Sequence, residues 1–144
     1  MQEPKQREQL QVFNRLKELA QRQNDLNEKL KELENALRAA ETEKAKQEIE
    51  RQLKSLRDEQ RRNLEDLDEL NQRMERPENR TDMKQQREQL QSTRQEMNKA
   101  AEQIQKGQLS QAVTSGTRAQ KDLREMQEEL RKHTSSQFAE QMRN

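Results

Sequence analysis

His133 is the single histidine of the chain, and Glu129 lies four residues before it. On a helix that spacing brings the two side chains to one face, the start of a metal pair. A structural or catalytic zinc site needs three or four ligands, and two do not make one. The chain has no cysteine, which removes thiol nucleophiles, disulfides and thiolate ligands together. A nucleophile–base–orienter set cannot be assembled around one histidine. No glycine-rich phosphate cradle is present, because the two glycines, Gly107 and Gly116, are nine residues apart. Glu and Asp are numerous but alternate with Lys and Arg, the pattern of exposed ion pairs on helix flanks. His133 therefore reads as a solvent-facing residue of a C-terminal helix. The expectation is a non-enzymatic chain without catalytic residues, cofactor or metal.

Composition narrows the class further. Charged residues make up 40% of the 144 positions and hydrophobic ones 26%, with two Phe and neither Trp nor Tyr. Glutamine accounts for roughly one residue in six. An ordinary globule needs more apolar area than this to offset the ordering of its backbone. Disorder usually accompanies high net charge, yet here 29 Lys and Arg nearly cancel 28 Asp and Glu. Leucines at helical spacing favour long helices with narrow apolar stripes. The same balance argues against nucleic acid as a partner, since the most basic run, RDEQRR at 57–62, carries two acids of its own. No apolar run approaches the ~20 residues of a membrane span. The start lacks a hydrophobic signal region, and the end, FAEQMRN, stops in mid-pattern, as a segment of a longer protein would.

The elements follow from the stripes. Pro4 suits a first helical turn. Leu16, Leu19, Leu26, Leu30, Leu33 and Leu37 then recur in steps of three and four, with Gln23 in the vacant core position, a heptad seam. A second stripe includes Ile49, Leu53, Leu56 and Leu67 and ends at Met74. Its centre is rotated by roughly 120° from that of the first stripe. Either the chain turns near Glu41–Lys44, or one long helix changes partner there. Similar lengths favour the turn, whereas the lack of turn residues favours continuity.

Pro77 marks a firmer boundary. Asn79, Thr81 and Asp82 supply turn and N-cap chemistry beyond it. A third helix is expected from about 82 to Lys106, with Met83, Leu90, Met97 and Ile104 every seven residues. Gly107 should end it in a left-handed conformation, with Ser110 capping the next helix. Ala112, Gly116, Ala119, Leu123, Met126 and Leu130 continue the stripe, so Gly116 falls on the inward face and thins the packing. The rival is a break at TSGT, with Thr117 and Gln120 as a capping box. The Gly107–Ala112–Ala119 spacing is also similar to the inter-helix turn of a tetratricopeptide repeat, although a single unit lacks the neighbours such folds need.

The expected fold is all-α: long amphipathic helices in antiparallel, coiled-coil-like hairpins, three or four helices in all. Its parts would be 1–76, a long helix or hairpin; 77–81, a linker; 82–133, a hairpin turning at Gly107; and 134–144, a partly helical tail. RLKELAQRQNDLNEKLKEL, LRDEQRRNLEDLDELNQRMERPEN and IQKGQLSQAVTSGTRAQKDLREMQEEL together resemble the Gln-rich helical region of large bacterial proteins of planctomycete type. That family has relatives in alphaproteobacteria and is known as a domain of unknown function. The resemblance implies a membrane-anchored parent with this region outside the cytoplasm, and brings no activity or catalytic residues. The leading expectation is a spacer, oligomerisation or scaffold segment whose partner is itself or another helical protein. The alternative is a binding module, with a client helix or peptide docking beside Ala112–Leu123.

Overall fold

The structure, a computed structural model, describes the backbone of residues 4–143 apart from 78, 81 and 82, and the side chains of 5–133 apart from those three. Four helices run in order: α1 Pro4–Ala39, α2 Glu43–Met74, α3 Lys84–Gln105 and α4 Leu109–Arg143. α1 packs on α2 and α4, and α3 packs on α2 and α4. Among the described residues no Cα atoms of diagonal helices come within 8 Å, so the backbones form a closed ring of four around a shared core. Short connections make sequential neighbours antiparallel. The closing pair is antiparallel too, since Val12 shares a cluster with Leu130, and Leu33 with Leu109. The start of α1 and the end of α4 thus lie at the same end of the bundle. The 36 residues of α1 give a rod of about 54 Å.

Each expected stripe supplies one wall of the core. Leu16, Leu26 and Leu30 of α1, Leu67 of α2, Met97 of α3 and Leu123 of α4 are at most 1% exposed. The chain does turn near residue 41. Thr42 caps α2, its hydroxyl accepting from the Ala45 N–H at 3.1 Å. α3 begins at Lys84, after Met83 and without a side-chain cap; Thr81 and Asp82 lie outside the described residues.

α3 ends in a Schellman turn. The Gly107 N–H reaches the Ile104 carbonyl at 3.1 Å, and the Gln108 N–H reaches Gln103 at 2.8 Å. Gly107 has φ +74°, and a Cβ there would meet open space, so the glycine serves backbone conformation alone. α4 starts one residue before Ser110, which corrects the expected cap: Ser110 sits inside the first turn, where the Gln108 carbonyl accepts from Ala112. α4 runs unbroken through Gly116 and on to Arg143. The hydroxyl of Thr117, expected in the rival reading as a cap, donates to the Val113 carbonyl at 2.7 Å, as mid-helix threonines do.

Candidate functional site

The core divides into two apolar clusters. One holds Val12, Leu16, Leu19, Leu67, Leu70, Leu90, Met97, Leu123 and their neighbours. The other holds Leu26, Leu30, Leu33, Ile49, Leu56, Ile104, Leu109 and Ala112. Between them lies a layer of amides. Gln23 and Gln60 are fully buried, Asn27 and Asn63 nearly so. Gln23 Nε2 donates to Gln60 Oε1, and Gln60 Nε2 donates back to Gln23 Oε1, both at 2.8 Å. Gln23 Nε2 also donates to Asn27 Oδ1 at 3.0 Å, and Asn63 Nδ2 approaches Gln23 Oε1 at 3.4 Å. Both polar atoms of the Gln23 amide are thus satisfied without water, as a buried amide requires.

Gly116 completes the layer from α4. A Cβ on it would lie 2.1 Å from Asn27 Oδ1 and 3.1 Å from Gln23 Nε2. The missing side chain is therefore the seat of Asn27. Beside it, Ser115 Oγ donates to Gln103 Oε1 at 2.8 Å and ties α4 to α3. The sequence placed Gly116 on the inward face, but assigned it to close helix approach and not to the seating of an amide. The leucine periodicity alone does not single out Gln60, Asn63 and Asn27. Their signal was present: Gln60 and Asn63 occupy consecutive stripe positions on α2, between Leu56 and Leu67.

Most of the expected packing residues are brought together in these two clusters. Leu53 is half-buried, and Leu37 departs from expectation at 37% exposed. Leu33 packs near the first residue of α4, and one turn further along α1 there is no α4 left to cover Leu37. Ala112, Ala119 and Leu123 are 0% exposed. The space beside them, expected as a client groove, is occupied by α1.

Nothing among protein-family models, curated proteins or solved structures matches this chain.

A second polar cluster ties the α2–α3 connection to α1. Arg73 Nε donates to Glu8 Oε1 at 2.5 Å and its Nη2 to Oε2 at 3.2 Å, a two-pronged pair. Asn79 Nδ2 donates to Glu8 Oε1 at 3.2 Å and to the Arg73 carbonyl at 2.9 Å. Burial pushes the Glu8 carboxyl up, but the hydrogen bonds from Arg73 and Asn79 and the charges of Arg73 and Arg76 outweigh it, leaving a net lowered pKa. A depressed carboxyl stabilises the fold above its ordinary value near 4.5, and that contribution disappears as pH falls through the lowered value. Glu8→Gln should therefore melt below wild type at neutral pH, with the gap closing on acidification, as thermal melts across pH would record. A gap that stays constant into strong acid would contradict this.

The remaining surface is unremarkable in charge. Concavities lie on the outside between helices, such as that lined by Arg15, Glu18, Arg22 and Asp66. Burial, followed by repulsion from Glu125 and Glu96, pushes the Asp122 carboxyl up. Among the described residues no group of three His, Cys, Asp or Glu is placed to hold a metal. No described helix is long and apolar enough to cross a membrane.

Proposed function

We propose that the chain is a non-enzymatic spacer or scaffold module: a coiled-coil-like rod that projects from a larger protein. The observation that carries this reading is the closed ring, in which each helix spends its apolar stripe on its two neighbours. Leu37 is the only large hydrophobic residue exposed among those described. A chain entering and leaving at one end of a rod about 54 Å long suits a stalk inserted in a longer polypeptide. The membrane-anchored bacterial parent implied by the sequence resemblance would use such a stalk outside the cytoplasm, with the membrane reached through another part of that parent. Partners on this reading are helical proteins that meet its polar outer faces. Self-association through the leucine seams, the other expected mode, would require opening the bundle.

Sedimentation velocity with small-angle scattering tests this. The expected species is a helical monomer of 17.3 kDa with the frictional ratio of a rod, unchanged over a wide concentration range. A tight dimer whose formation protects the leucine seams from exchange would sink the closed-bundle spacer.

A further inference from the structure

The α1–α2 turn is the junction without a glycine or a proline. Residues 36–47 read ALRAAETEKAKQ, mostly good helix formers, and Thr42 supplies the local stop. Something else must fix where the chain reverses. Residues that face each other across an antiparallel hairpin are equidistant from its turn. Gln23 lies eighteen residues before Glu41, and Gln60 lies eighteen residues after Thr42. We propose that the buried amide layer positions this turn: the Gln23–Gln60 pair and the seating of Asn27 on Gly116 select the helix register, and the register dictates the point of reversal.

The apolar residues alone do not select it. One heptad slide of α2 along α1 still sets apolar against apolar, with Leu16 opposite Met74, Ala20 opposite Leu70, Leu26 opposite Leu64 and Leu37 opposite Leu53. The reverse slide sets Leu30 against Lys46 and Leu33 against Glu43. The apolar-preserving slide puts Gln23 against Leu67 and Gln60 against Leu30. Two fully buried amides then lose their partners. Each buried group left unpaired disfavours the slipped state by about 5- to 150-fold. A slide of α4 is rejected separately, because Asn27 would meet Leu109 or Leu123 in place of Gly116. Polar core positions act this way when they choose among apolar registers of similar energy. The layer is about 27 Å from the turn that it places, counting 1.5 Å per residue.

The absence of cysteine allows two spin labels at Lys17→Cys and Glu48→Cys, both exposed positions. In the native register the labels sit about 30 Å apart, and a heptad slide moves them by about 10 Å. Double electron–electron resonance should give one distance for the labelled protein and for its Thr42→Ala variant. The Q23L/N27A/Q60L/N63A variant should add a population displaced by about 10 Å. Moving the layer with Gln60→Leu and Leu67→Gln should shift the main population to a distance about 10 Å longer. The native distance alone in both layer variants overturns the proposal, as does a displaced population in Thr42→Ala. If the four-fold variant loses its helical circular dichroism, the moved layer decides by the same criterion. Loss of helicity in both also overturns it, because the remaining core must then fold in some register.

Discussion

Gly116→Ala should destabilise the protein by about 1–3 kcal/mol, the usual cost of forcing an extra carbon into a packed core. The direction opposes local propensity, since alanine is favoured over glycine in a helix interior by about 1 kcal/mol. Packing prevails because the added Cβ would lie 2.1 Å from Asn27 Oδ1. Asn27 has little room to yield: it is 2% exposed and accepts a hydrogen bond from Gln23 at 3.0 Å. Removing the obstructing side chain should release the alanine's benefit. In an Asn27→Ala background, Gly116→Ala should be neutral or stabilising. Urea unfolding of the four proteins forms a double-mutant cycle. Equal losses in both backgrounds would show that Gly116 is not the seat of Asn27.

Gln23→Leu should cost about 3 kcal/mol, more than an exposed hydrogen-bonded glutamine would. It strips both partners from the Gln60 amide and also leaves Asn27 Oδ1 and Asn63 Nδ2 unpaired in the core. The penalty is the desolvation of groups left behind, not the worth of the lost bonds. Adding Gln60→Leu replaces the second amide by an apolar group of similar volume, and should recover at least half of the loss. Chemical denaturation of the single and double variants measures this. A double variant weaker than the single would mean that the glutamine pair stabilises the bundle in its own right.

The helical stripes were legible because leucine at three-and-four spacing has one physical use. Gly107 was legible as well, as a left-handed stop directly after Lys106, which the structure makes the C-cap of α3. The turn at Ala40–Thr42 stayed undecided because it is set by pairing at a distance, and a local reading weighs only local residues. The amide layer was half visible. Gln23 was recognised as a core position, but Gln60 and Asn63 were lost in a glutamine-rich background where most such residues face solvent. Leu37 continued a perfect heptad, and only the later start of α4 left it uncovered. The order of helices around the ring depends on which stripes meet, and heptads of similar composition do not encode that.

Two stretches of interchangeable apolar packing flank a thin layer of directional bonds, and this sets how the sequence can drift. Leucine, methionine and isoleucine trade places in such cores at small cost when volume is kept. Gln23, Gln60, Asn27 and Gly116 can change only in concert. A distant relative with this architecture would therefore share few of the leucines. It would instead show two glutamines placed symmetrically about an unmarked turn, and a glycine in the last helix opposite an asparagine in the first.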